Sequence, residues 1–143
     1  MKQIVLFLSV MAVTAFSYCQ VNFNTGDADM DANLTVINTN AKSDLGAFKT
    51  QLSIDFGVKV PVIDNFLSMN MEPADVYFAF ELGRVLNKPV DDVVAVYKKN
   101  KGKGWGVIAK ELGIKPGSDE FHALKGKTKG RKDKGNKGNK GNK

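Results

Sequence analysis

The chain has 143 residues, with 21 Lys+Arg against 15 Asp+Glu for a formal net charge of +6, and one each of Cys, His and Trp. That length suits one small domain rather than two independent cores. The single Cys excludes an intramolecular disulfide framework and a multi-Cys zinc site, and the single His excludes two-His metal motifs and paired-His acid–base chemistry.

Residues 1–19 read as a secretory signal peptide. Lys2 gives a short positive start, and residues 4–15 form an apolar run broken only by Ser9 and Thr14. The run falls short of the ~20 apolar residues that span a bilayer, so a secreted or periplasmic location is expected. Ala15 and Ser17 frame a cut before Tyr18, and Ser17 and Cys19 frame one before Gln20. The second is preferred and leaves a mature chain without Cys. Bulky Tyr18 argues against lipidation of Cys19.

The body, residues 20–124, reads as a compact all-α bundle of about five to seven short helices. Met30, Leu34, Ile37 and Ala41 are spaced i, i+4, i+7, i+11 and predict a first helix. Residues 45–58 carry two patterns. Leu52, Ile54, Phe56, Val58 and Val60 alternate as in a strand, whereas Leu45, Phe48 and Leu52 form a helical stripe after the N-cap candidate Asp44. No partner strand is evident, so a helix over 45–56 closed by Gly57 is favoured. Pro61 opens a short helix with Ile63, Phe66 and Leu67. Pro73 opens another that is apolar nearly all round, from Val76 to Leu86, as a central buried helix is. Pro89 starts the next, with Asp91 and Asp92 at its positive end and Lys98 and Lys99 at its negative end. Trp105, Ile108, Ala109 and Leu112 mark a helix stopped by Gly113, Ile114 and Pro116. Ser118 caps a last short helix whose Phe121 and Leu124 face inward.

Residues 125–143 are low in complexity. They hold nine Lys/Arg and one Asp, and Lys-Gly-Asn repeats three times over residues 134–142. With nothing to bury, such a segment is expected to be a disordered cationic tail whose removal leaves stability unchanged. Subtracting Lys2 and the tail's +8 from the total leaves residues 20–124 at −3. The basic character therefore belongs to the tail and not to the body.

The run GWGVIAKELGIKPGSDEFHALK, residues 104–125, together with MEPADVY, residues 71–77, and TGDADMD, residues 25–31, resembles a group of small secreted bacterial proteins of unknown function. These share a signal peptide, this GWG motif and often a Gly/Lys-rich tail. The resemblance implies an exported helical protein and supplies no catalytic residues. WGVIAKELGI, residues 105–114, also looks like the first helix and turn of a helix-turn-helix. There Asp119 and Glu120 would repel phosphate at the docking end of the following helix.

Other motifs weigh toward structural roles. Asp27, Asp29 and Asp31 open like a calcium loop, but Ala32 and Asn38 stand where an EF-hand needs Gly and Glu. His122 lacks an accompanying nucleophile motif and reads as a packed or capping residue. Trp105, between Gly104 and Gly106, is a core anchor by its stripe and a stacking platform only if exposed. The function expected is that of a non-enzymatic binding module without metal or cofactor. Its tail cations Lys127, Lys129, Arg131, Lys132, Lys134, Lys137, Lys140 and Lys143 would contact lipopolysaccharide, acidic polysaccharide, a phospholipid surface or extracellular nucleic acid. A secondary surface would comprise Lys98, Lys99, Lys101, Lys103 and Trp105. The alternatives are a helix-turn-helix-like nucleic-acid binder, or an enzyme whose site forms around His122.

Overall fold

The computed structural model describes residues 21–137, with side chains to residue 135. The signal peptide expected over residues 1–19 lies outside the described residues, as do Lys140 and Lys143. The described chain forms seven helices and no strand: α1 Ala28–Ser43, α2 Leu45–Phe56, α3 Val60–Ser68, α4 Pro73–Leu86, α5 Val90–Lys99, α6 Trp105–Glu111 and α7 Asp119–Lys137.

Local signals set most boundaries. Asp27 caps α1 by accepting the Met30 N–H at 2.9 Å, and Asp44 caps α2 by accepting the Ala47 N–H at 2.9 Å. Gly57, at φ 65°, takes the left-handed position that closes α2. The strand alternative for 52–60 is thus overturned. Leu52 is buried in the core while Ile54, two residues on, is 71% exposed, as a helical period demands. Glu72 and Asp75 form a reciprocal capping box around Pro73 at the start of α4. Gly113, at φ 97°, ends α6 and turns Ile114 into the core, its N–H donating to the Ala109 carbonyl at 2.9 Å.

The core is built around α4, which is buried continuously from Pro73 to Gly83. The α1 stripe of Met30, Leu34, Ile37 and Ala41 packs on one side of it, and Ile63, Phe66, Val93 and Val94 contribute from α3 and α5. The two glycines of the GWG motif have a packing reason. The Trp105 N–H donates to the Phe23 carbonyl at 2.8 Å and the Gly106 N–H to the Asn24 carbonyl at 2.7 Å. A Cβ on Gly104, whose φ is +88°, would lie 2.4 Å from the Asn24 Cβ. A Cβ on Gly106 would lie 3.0 Å from the Asn24 and Thr25 carbonyl oxygens. Only glycine lets the segment before α1 lie so close to the start of α6, with Trp105 turned inward.

The expected disorder beginning at residue 125 does not hold for the described part of that segment. The last helix crosses the expected boundary and runs 19 residues, to Lys137. Leu124, Thr128, Arg131 and Gly135, spaced i, i+4, i+7, i+11, share one face, and α7 packs along α1 and α4. Composition alone made this stretch look unable to bury anything. One threonine and the stem of one arginine, continuing the stripe of Leu124, suffice once a surface meets them.

Candidate functional site

The segment expected to bind anions is a two-faced helix. Ser118 caps it, accepting the Phe121 N–H at 3.3 Å. On its inner face Leu124 and Thr128 are buried, and Lys125 and Arg131 are committed to carboxylates of the body. Lys125 Nζ lies 2.8 Å from Asp27 Oδ2 and 3.0 Å from Asp29 Oδ2, so one ammonium bridges two acids of the first turn of α1 and its cap. The Arg131 side chain is only 12% exposed and donates through Nη1 to Asp55 Oδ2. Its guanidinium also lies 5.4 Å from the ring centres of both Phe48 and Tyr77. Lys127 and Lys134 flank this inner stripe on one side and Lys129 and Lys132 on the other, with exposed Asp133 between the two rows; Lys127, Lys129 and Lys134 are exposed, Lys132 is half-buried, and none pairs with a carboxylate among the described residues.

These contacts shift the acids in the expected direction. The hydrogen bond from Lys125, with the Met30 N–H, holds Asp27 below the usual aspartate range. The same contacts with Asp27 and Asp29 hold Lys125 above the usual lysine value. The triple-aspartate run therefore serves as helix cap and latch. Asp31 accepts the Thr25 N–H at 2.9 Å. Among the described residues no cluster of His, Cys, Asp and Glu is arranged to hold a metal.

The secondary surface does not assemble as expected. Trp105 is 2% exposed, so it offers no stacking platform. Its ring packs at 5.1 Å against both Phe78 and Tyr97, and its Nε1–H donates to Asp75 Oδ1 at 2.7 Å. Asp75 also accepts the Tyr97 hydroxyl at 3.1 Å and the Glu72 N–H at 3.0 Å. Burial pushes the Asp75 carboxyl up despite these three donors, and burial beside Asp75 pushes the Tyr97 phenol up. The lysines around Gly102 are exposed, but Lys99 is tied to Glu111 at 2.8 Å and Lys103 to the Asn100 side chain at 3.3 Å. Lys98, in the last turn of α5, and Lys101, in the loop, are exposed.

His122 is exposed, with its ring edge against Phe121. The helix that follows the α6 turn, α7, lies along α1 and α4, and its first turn carries Asp119 and Glu120. A groove of about 560 Å³ opens between α1, α2 and the end of α7, with Ile37, Ala41 and Phe48 as apolar lining and Arg131 and Lys134 at one side. Comparison with known proteins adds no relative: no protein-family model, curated protein or solved structure matches the chain.

Sequence reasoning missed the two residues that organise these regions. By sequence Asp75 is only an acid in the first turn of α4, and its role as acceptor for Trp105 and Tyr97 depends on side chains 30 and 22 residues away. Arg131 was counted among eight solvated cations. The signal available was the continuation of the Phe121–Leu124 face through Thr128 to Arg131, which the lysine and glycine content masks.

Proposed function

We propose that the chain is an exported, non-enzymatic helical module that holds anionic polymers on the unpaired lysines of α7. The observation that supports this reading is the segregation of charge on that helix. Lys125 and Arg131 turn inward to Asp27, Asp29 and Asp55, leaving Lys127, Lys129, Lys132 and Lys134 outward without carboxylate partners among the described residues. Lysines in two rows along a helix suit a flexible polymer with repeated anionic groups that can pass over either row, and impose no base- or sugar-specific geometry. The ligand class is a polymer or surface of closely spaced phosphates, carboxylates or sulfates outside the cytoplasm, and the export rests on the signal read in residues 1–19. No helix among the described residues is long and apolar enough to cross a membrane.

The test is replacement of Lys127, Lys129, Lys132 and Lys134 by Gln. Affinity for polyphosphate should fall strongly, and the log–log salt slope should drop by about 2.8, from ~0.7 per lysine on a single-stranded polyanion. Thermal midpoint and helical content should hold, because the inner face is untouched. Parallel titrations with a sulfated polysaccharide and with anionic phospholipid vesicles separate the sources of charge. Unchanged binding to all three would remove α7 as the site and direct attention to Lys98 and Lys101. Fractionation with N-terminal sequencing tests the export: an intact Met1 in the cytosol would overturn it.

A further inference from the structure

The part of α7 beyond Leu124 has little reason to be helical by itself. It contains Gly126, Gly130 and Gly135, and its cations repel one another at helical spacing, Lys125 with Lys129 and Lys127 with Arg131. What holds it is the body: Thr128 in the interface, the Lys125 bridge to Asp27 and Asp29, and Arg131 set between Asp55 and the Phe48 and Tyr77 rings. Beneath this latch Phe48 and Tyr77 are buried, and the Tyr77 hydroxyl is buried without a hydrogen-bond partner among the described residues.

From this arrangement, and resting on the reading of α7 as a polyanion site, we infer that residues 125–137 form a releasable strap: a polyanion draws the segment off the body and uncovers the Phe48–Tyr77 surface. A ligand shifts such an equilibrium only if it binds the two states differently. Here it does. The docked helix offers Lys127, Lys129, Lys132 and Lys134, whereas the released segment adds Lys125 and Arg131, which are otherwise consumed by Asp27, Asp29 and Asp55. A phosphate chain therefore competes directly with three body carboxylates for the same two cations. Docking in turn scales the affinity of the released, six-cation form by the fraction of molecules that are open.

The geometry provides a way to lock the strap. The Cβ position of Gly135 lies 3.7 Å from the Asn40 Cβ, within the span of a disulfide. The full chain carrying Asn40→Cys, Gly135→Cys and Cys19→Ser is titrated with polyphosphate at several NaCl concentrations, oxidised and reduced. The reduced form should bind several-fold more tightly, with a log–log salt slope steeper by about 1.4 for two further contacts at ~0.7 each. In the unmodified chain, polyphosphate should accelerate amide exchange over residues 125–135 and leave α4 protected. Should the cystine not form, Asp55→Asn gives an independent reading. Freed from its latch, Arg131 should raise polyphosphate affinity several-fold above that of Asp91→Asn, which removes one acid at an exposed site on α5. Equal affinity and slope in the two redox forms, with exchange slowed over 125–135, would overturn the strap and leave polymer binding on the docked face intact. Failure of every form to bind polyphosphate would overturn the strap together with the reading on which it rests.

Discussion

At the residue scale, Trp105 and Asp75 form the most consequential pair in the core. Trp105→Ala should lower stability by about 3–5 kcal/mol, the usual loss for a buried large aromatic. Trp105→Phe separates the ring from its donor. It keeps a ring against Phe78 and Tyr97 but leaves Asp75 without its Nε1–H partner, at a cost of about 1–3 kcal/mol measured as a shift in the denaturation midpoint. The pH dependence of this acid has a definite sign. The Asp75 carboxyl is raised in the folded state, so folding takes up its proton more readily than the unfolded chain does. Between its raised value and the ordinary aspartate 3.8, acidification should favour the fold. Asp27 acts in the opposite sense: its pKa is depressed, so its contribution is present above 3.8 and is lost as pH falls through the folded value. Glu72 behaves as Asp27 does. Burial works against its charge, but hydrogen bonds from Lys42 and Asn38 outweigh that and hold it below 4.5. Stability measured as pH falls should therefore hold or rise slightly while Asp75 takes up its proton, and then be lost below the ordinary values of 3.8 and 4.5 as Asp27 and Glu72 are protonated. Asp75→Asn should remove the first feature and keep the second. A profile of unchanged shape in that variant would locate the titration elsewhere.

At the element scale, α7 shows why a helix can exist against its own composition. Each glycine in a helix interior is about 1 kcal/mol less favourable than alanine, and α7 has three before residue 136. The compensation comes from the interface, so single changes should divide sharply by contact. Arg131→Ala leaves Asp55 without its ion-pair partner and removes a guanidinium packed on two rings. It should cost about 2–3 kcal/mol, with loss of helical signal over the end of α7. Lys127→Ala, an exposed lysine one turn before Arg131 with no carboxylate partner among the described residues, should stay within about 0.5 kcal/mol. Deletion of residues 126–143 is expected to lower the thermal midpoint, since Thr128 and Arg131 leave and the Phe48 and Tyr77 surface is opened to water. This reverses the expectation drawn from composition. A truncated chain that melts with the full one would mean that the latch contributes nothing. At the other end of the molecule, Gly104→Ala forces a Cβ toward Asn24 at a positive φ and should destabilise by about 1–3 kcal/mol.

At the scale of the whole molecule, charge is distributed so that one end of the chain neutralises the other. The acids of the first two helices, Asp27, Asp29 and Asp55, meet the cations of the last. The fold is closed by pairing the start of the described chain with its end. Such pairs are screened by salt where exposed and less so where buried. Moderate salt should therefore loosen the Lys125 bridge before the Arg131 latch, and exchange protection should be lost first near residue 125 on the exposed side. The alkaline limit follows the same contacts. Lys125 is raised by Asp27 and Asp29, so its contribution is complete below 10.5 and is lost as pH rises through its higher folded value.

The sequence by itself determined the helices that carry their own punctuation. Asp44 and Gly57 bounded α2, Pro73 opened α4, and Gly113, Ile114 and Pro116 stopped α6, because caps and breakers act within a few residues and need no distant partner. It also determined the central place of α4, since a helix apolar on every side has to be surrounded. Tertiary structure alone decided the rest. The alternation of Leu52, Ile54 and Phe56 offered a strand beside the favoured helix, and the burial of Leu52 with Ile54 left exposed agrees with the helix. The two glycines of the GWG motif are required by the segment at residues 23–25, some 80 residues earlier in the chain. Residues 125–137 become a helix because carboxylates and aromatic rings from α1, α2 and α4 meet Lys125 and Arg131. The strength of such long-range contacts depends on distance and burial, and neither is written in the order of the residues.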